Sequence, residues 1–181
     1  MAFTYKAIAT VTVGSGGAAS ISFSSIPSTY TDLLILYSGR DVRTGDVYSN
    51  WKIEFNGSSS NLSCRLLYGS GSSAASGTDT TIYGWQPGDS ATASTFSNNL
   101  IYIPNYTSSN YKSVSIDTVE ENNTTGAYMG LTAGLWSDTS AITSITIKSY
   151  YASVNQAQYR DRKSTRLNSS HVSESRMPSS A

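Results

Sequence analysis

The sequence predicts an all-β fold, an antiparallel β-sandwich of jelly-roll-like form with about ten short strands. Three observations support this. Ser, Thr, Gly and Asn stand where a helical protein carries Lys and Glu, and only 13% of the 181 residues are charged, so helix propensity is low throughout. Aromatic residues lean to Tyr, 13 against 3 Trp and 4 Phe, a mixture that suits strands and turns. Short apolar alternations recur between Gly, Ser, Asn and Asp turns, and none has helical period. A β-propeller would require a blade repeat, which the sequence does not contain.

The elements follow in order. Residues 5–13 form a strand in which Ile8, Val11 and Val13 alternate in part, ending at GSGG, 14–17. In SISFSSI, 20–26, Ile21 and Phe23 alternate with serines, as in a half-buried strand. Residues 27–30 break the pattern at Pro27, and DLLILYSGR, 32–40, is apolar enough to lie centrally, covered on both faces. DVRTGDVYSN, 41–50, reads as a loop. WKIEF then alternates into Asn56-Gly57, two residues that tolerate positive φ. Residues 62–68 make a strand before GSGSSAASGTD, 69–79, a low-complexity loop without the apolar content to fold. Further strands are expected at 80–85, 95–103, 111–119, 126–136 and 142–149.

Residues 1–160 read as one domain, of a size that buries a core without disulfide or metal. The remainder is different in kind. DRKSTRLNSSH, 161–171, resembles one reading frame of a common sequencing adapter, and SRMPSSA, 175–181, resembles that adapter's later constant part. Val172, Ser173 and Glu174 lie between, where a variable index would stand. Residues 161–181 are therefore expected to be non-native and disordered, which removes His171, the only histidine, from the protein and leaves the last strand missing.

The zero net charge divides at the same seam. Arg162, Lys163, Arg166 and Arg176 against Asp161 and Glu174 give +2 to the tail, which leaves −2 for residues 1–160. A weakly acidic domain without Lys/Arg clusters has no electrostatic footprint for nucleic acid. No run of about 18 apolar residues marks a membrane span, and no basic segment followed by an apolar stretch marks a signal peptide.

The chemistry-bearing residues are sparse. Cys64 is alone, which rules out an internal disulfide and a Cys-rich metal site, and it has no native histidine to activate it. GSGG at 14–17 and GSGSS at 69–73 are inter-strand loops and not phosphate-binding turns before a helix. Asp41, Asp46, Glu54, Glu120 and Glu121 are the carboxylates from which a glycosidase pair would be drawn, although their spacing announces none. With Asn122, Asn123 and Asp138 they could offer oxygen to calcium, but they match no fixed-spacing motif, and no metal or cofactor is assigned. Aromatic faces that could stack on a sugar are Tyr48, Trp51, Trp85, Tyr106, Tyr111, Trp136, Tyr150 and Tyr151; core packing or an oligomer interface accounts for them equally.

Stretches 10–40, 53–77 and 100–149, in particular SIPSTYTDLLI, RLLYGSGSSA, IYIPNY and AGLWSDTSAITSITI, resemble a family of small phage virion structural proteins. These are tail-fibre-like or head-decoration proteins frequent in marine phages. The matched motifs are strand and turn patterns, so the resemblance implies a scaffold and not an active site. It implies a non-catalytic protein of the capsid or tail, assembled in the host bacterial cytoplasm, with other virion proteins and further copies of itself as partners. Members finish with one more strand after the ITSITI segment, which this chain replaces with 161–181. The alternative is a receptor- or glycan-binding module in host attachment. Its contacts would be Asp41, Asp46, Tyr48, Trp51, Trp85, Tyr106, Glu121 and Asn122, carried on or beside loops 41–50, 69–79 and 120–125.

Overall fold

The computed structural model describes residues 4–151, residue 156 and residues 165–171, the last as backbone. Among the described residues there are twelve strands and no helix: β1 Thr4–Val11, β2 Ser20–Phe23, β3 Asp32–Tyr37, β4 Tyr48–Phe55, β5 Leu62–Gly69, β6 Ala74–Asp79, β7 Tyr83–Pro87, β8 Asn98–Ile103, β9 Lys112–Glu120, β10 Tyr128–Trp136, β11 Ile145–Ser149 and β12 Thr165–His171. An eight-stranded sheet has the order β1-β12-β3-β8-β9-β10-β5-β6, and a four-stranded sheet the order β2-β11-β4-β7. Every pairing is antiparallel. The expected all-β sandwich is the observed architecture.

Alternation explains which face each strand buries. In β9, KSVSIDTVE, every second residue from Lys112 to Glu120 is buried and every intervening one exposed, so Val114 and Ile116 enter the core while Ser115 and Asp117 face out. The small sheet supplies Trp51, Ile53 and Phe55 from β4 and Ile145 and Ile147 from β11. These meet Leu33 and Ile35 of β3 and Ile101 and Ile103 of β8, all inaccessible to solvent. Two ring contacts join the layers, Tyr37 to Trp51 at 5.3 Å and Phe55 to Trp136 at 5.4 Å between centroids. The layers approach closely at β10, where a Cβ on Gly130 would stand 2.6 Å from Trp85 Cζ3 and one on Gly134 2.7 Å from Ile82 Cδ1.

The Asn56-Gly57 turn forms as its residues dictate, with φ of 52° and 75°. Its asparagine also fastens the chain ahead of β11. Nδ2 donates to the Ala141 carbonyl at 2.8 Å, while Oδ1 accepts from the Thr143 and Ser144 amides at 2.8 and 3.1 Å.

Three expectations are corrected. Residues 69–79 are not all loop: Ala74–Asp79 forms β6, paired with β5 from Gly69↔Ala74 to Cys64↔Asp79. An edge strand needs only a partner's backbone, so a sequence with few apolar side chains can fill the place. The 32–40 run lies inside the large sheet but is not covered on both faces, since Leu36 is 39% exposed. The third correction concerns the tail. Thr165–His171 is not disordered but is strand β12 between β1 and β3, so the edge expected to lack its last strand is paired. Ladder hydrogen bonds are made by backbone, which any extended segment within reach supplies. Residues 161–164 and 172–181 lie outside the described residues.

Candidate functional site

At one end of the large sheet, the β5–β6 turn and the β9–β10 loop enclose a cleft of about 590 Å³. Its walls are Gly69 to Ser72 on one side and Val119 to Glu121, Thr124, Thr125 and Ala127 to Met129 on the other. Gly71, at φ 83°, makes the tight turn on the first side. The second side is held by Asn122, buried below the loop. Its Nδ2 donates to the Val47 carbonyl at 2.9 Å, to the Gly126 carbonyl at 3.1 Å and to Glu120 Oε1. Its Oδ1 accepts from the Thr124 amide at 3.0 Å. The 41–47 segment is thereby fastened to the β9–β10 loop.

Glu120 forms the floor. Its side chain is 1% exposed and its Oε2 accepts from the Tyr128 amide at 3.1 Å. Burial pushes its carboxyl up to about 8, against the pull of the Asn122 and Tyr128 donors. Glu121 is exposed at the rim.

Beside the cleft runs a chain of rings. Tyr48 meets Tyr128 at 4.6 Å, Tyr128 stacks on Trp85 at 5.9 Å with 14° between planes, and Tyr68 and Tyr83 flank Trp85 at 5.2 and 5.6 Å. The chain continues through Tyr150 to Tyr151, over which the Arg43 guanidinium lies at 3.6 Å from the ring centroid. The tyrosines of this chain are half-buried.

The contact residues expected from sequence divide sharply. Tyr48 is half-buried beside the cleft, Glu121 stands on its rim, and Asp46 is accessible but ion-paired with Arg43 at 2.9 Å. Trp51, Trp85, Tyr106, Asp41 and Asn122 are each 4% exposed or less and cannot touch a ligand in this fold. The reason is the same for the three aromatics: burying the ring removes a large apolar area from water, and a partner satisfies the polar atom where one is needed. Trp51 Nε1 donates to Asn99 Oδ1 at 3.1 Å, and the Tyr106 hydroxyl donates to the Pro27 carbonyl. Asp41 sits in a polar knot, accepting from Ser49 Oγ, Ser149 Oγ, Gln86 Nε2 and the Arg43 amide.

That knot extends to Tyr37, whose hydroxyl lies 2.5 Å from Gln86 Oε1 and 2.6 Å from Gln156 Oε1. One hydroxyl proton cannot serve two carbonyl oxygens. Gln86 is oriented by its bond to Asp41, so the Gln156 amide is assigned with Nε2 toward Tyr37, which also partners the otherwise unsatisfied buried Nε2.

The carboxylates considered for catalysis have separate partners: Glu54 pairs with Lys148 at 2.7 Å, and Glu121 Oε1 accepts from the Asn123 amide at 2.7 Å. Cys64 is buried, its Sγ lies 3.1 Å from the Thr81 carbonyl, and burial pushes the thiol up to about 11, far from a thiolate at neutral pH. Among the described residues no three His, Cys, Asp or Glu side chains converge as metal ligands. What the cleft offers is the apolar surface of Val119, Ala127 and Met129, the Tyr128 ring, the hydroxyls of Ser70, Ser72, Thr124 and Thr125, and an acidic rim, a chemistry suited to a neutral ligand with apolar and hydroxyl faces and not to an anion. Sequence reasoning missed Tyr68, Tyr128 and Met129; no polarity alternation marks the strand, since in AYMGLTAGLW Met129, Leu131 and Ala133 are exposed while Gly130, Thr132 and Gly134 are buried. Comparison with family models, with curated proteins and with solved structures finds no match for this chain.

Proposed function

We propose that this protein is a phage virion structural protein, a non-catalytic β-sandwich displayed on the capsid or tail. The observation that carries the reading is the resemblance along 10–40, 53–77 and 100–149. Those stretches contain β2, β3, β5, β9, β10 and β11, the framework of both sheets. A β-sandwich that presents loops to solvent suits display on a particle, where copy number multiplies weak contacts. Mass spectrometry of particles purified from the source phage is the test. The expected result is this chain at a copy number comparable to other capsid or tail components, and its absence from particles sinks the reading.

A second reading, a glycan- or receptor-binding module, is favoured by one feature, the cleft lined by Ser and Thr hydroxyls and the half-buried Tyr128, which Tyr48 meets from beside it. It is compatible with the first. On a glycan array probed with multivalent protein, Thr124→Trp, which fills the cleft, should abolish any signal; a signal unchanged by that substitution places binding elsewhere.

A further inference from the structure

The outward face of the large sheet departs from the pattern of its own strands. An antiparallel sheet with one face in water alternates polar residues outward. In β10, by contrast, Met129, Leu131, Ala133 and Leu135 are all apolar and all point away from the core. Register extends the feature sideways. Leu67 on β5 faces Leu131, Leu131 faces Asp117 on β9, Asp117 faces Leu100 on β8, and Leu100 faces Leu36 on β3. One rung away Met129 faces Val119. Met129, Leu67 and Leu131 are 64%, 58% and 56% exposed. The six apolar side chains together present on the order of 500 Å², the size at which the largest patches of monomeric proteins end.

The charges on this face are as informative as its apolar residues. Among the solvent-exposed outward residues of β3, β5, β8, β9 and β10, Arg65 and Asp117 are the charged ones, and neither makes an ion pair among the described residues; Asp32, on the same face of β3, is 7% exposed and accepts from the Tyr102 hydroxyl. The two exposed charges lie on opposite sides of β10 at successive outward rungs, Arg65 beside Ala133 and Asp117 beside Leu131. A two-fold axis lying in the plane of the face and passing between Ala133 and Leu131 sets Arg65 of each copy over Asp117 of the other, with Leu67 and Leu131 enclosed between the two ion pairs. Such a face is its own complement, as an isologous interface requires. Ser115 stands across from Ala133, and Ser113 and Ser63 flank Leu135 one rung on, so the face has an apolar half on the Leu131 side of the axis and a small, uncharged polar half on the other.

We propose that the outward face of the β3-β8-β9-β10-β5 sheet is a homodimer interface, its occupant a second copy of this chain related by that two-fold. The interface does not depend on the virion reading, because it follows from the register and the side chains alone.

The test is sedimentation equilibrium of the full chain across micromolar concentrations, with circular dichroism to verify each fold. Wild type should dimerise, and Leu131→Asp should weaken the dimer by at least about a hundredfold, since it buries a charge in an apolar centre. Arg65→Asp and Asp117→Arg should each weaken it by about tenfold or more, because each sets like charges face to face. The double reversal, Arg65→Asp with Asp117→Arg, should restore association to within about threefold of wild type. All of these side chains are solvent-exposed, so the monomer fold tolerates the changes. A wild-type chain that stays monomeric, a dimer indifferent to Leu131→Asp, or a double reversal no better than the single ones overturns the proposal.

Discussion

Asp41 concentrates four hydrogen bonds on one buried carboxylate, and three of its donors, Ser49, Gln86 and Ser149, are themselves buried. Replacing it with Ala removes one acceptor and leaves several donors without a partner, so Asp41→Ala should cost about 3 kcal/mol in chemical denaturation. Asp46→Ala, which breaks an accessible ion pair, should cost less than about 1 kcal/mol. Equal effects would mean that the knot is not a structural centre. Glu120 leads to a different observable. Its carboxyl titrates near 4.5 when unfolded and, through burial, at about 8 when folded. A raised folded value favours the protonated native state, so this contribution to stability is fully present below about 4.5 and is lost as pH rises through about 8. Asp41, raised by burial as well, acts in the same direction. The melting temperature should therefore fall between about pH 5 and pH 8, and Glu120→Gln should flatten that slope whatever it does to absolute stability. An unaltered slope would assign the pH dependence to other groups. Residue type alone made the site only partly legible. Glu121 and parts of the 69–72 and 120–125 segments line the cleft, but tryptophan and tyrosine carry no mark of whether a face is buried, and Trp51, Trp85 and Tyr106 all went to the core.

The strands themselves announce their presence wherever one face is wet and the other dry. β2 and β9 were readable because burial and polarity share a period of two, and boundaries moved by only a few residues. AASGTD has no such period, and its strand exists because β5 offers a free backbone edge; that information lies in a neighbour and not in the segment. Glycines show the converse, a local residue whose meaning depends on another layer. Gly130 lies within a strand, where glycine ordinarily weakens pairing, yet its missing Cβ is what lets the Trp85 ring lie against β10. Gly130→Ala forces a methyl to 2.6 Å from Cζ3 of a buried indole, so it should destabilise by about 1–3 kcal/mol despite the better strand propensity of Ala. Urea denaturation compared with Gly77→Ala is the check, since a Cβ at Gly77 meets only the flexible Leu66 Cδ1 at 3.9 Å and should be nearly neutral. A Gly130→Ala protein as stable as wild type would show that the layers are free to separate there.

Across the whole molecule, the large sheet is continuous because β12 joins β1 to the rest. Residues 4–11 pair with 165–171, and residues 166–170 pair in turn with β3, so the first strand is held in the sheet through the segment that resembles adapter read-through. Nothing in that segment's sequence announces a strand. Its place is defined by two edges, β1 and β3, whose amides and carbonyls require partners that an extended chain of almost any composition can supply. Two consequences separate this account from one in which the side chains of 165–171 specify the pairing. Asn168 stands opposite Ala7 on one side and Leu34 on the other, and proline at that position removes the backbone donor and stiffens the chain against the ladder. In Asn168→Pro, amide exchange should accelerate at least about tenfold along β1 and at the β12-facing edge of β3, while β9 and β10, embedded between other strands, keep their protection. Replacing residues 165–171 by an unrelated alternating Thr/Val segment should instead preserve protection in β1. If proline leaves β1 exchange unchanged, β12 does not hold that edge; if the replacement segment exposes β1, the pairing is encoded by side chains and the backbone account fails.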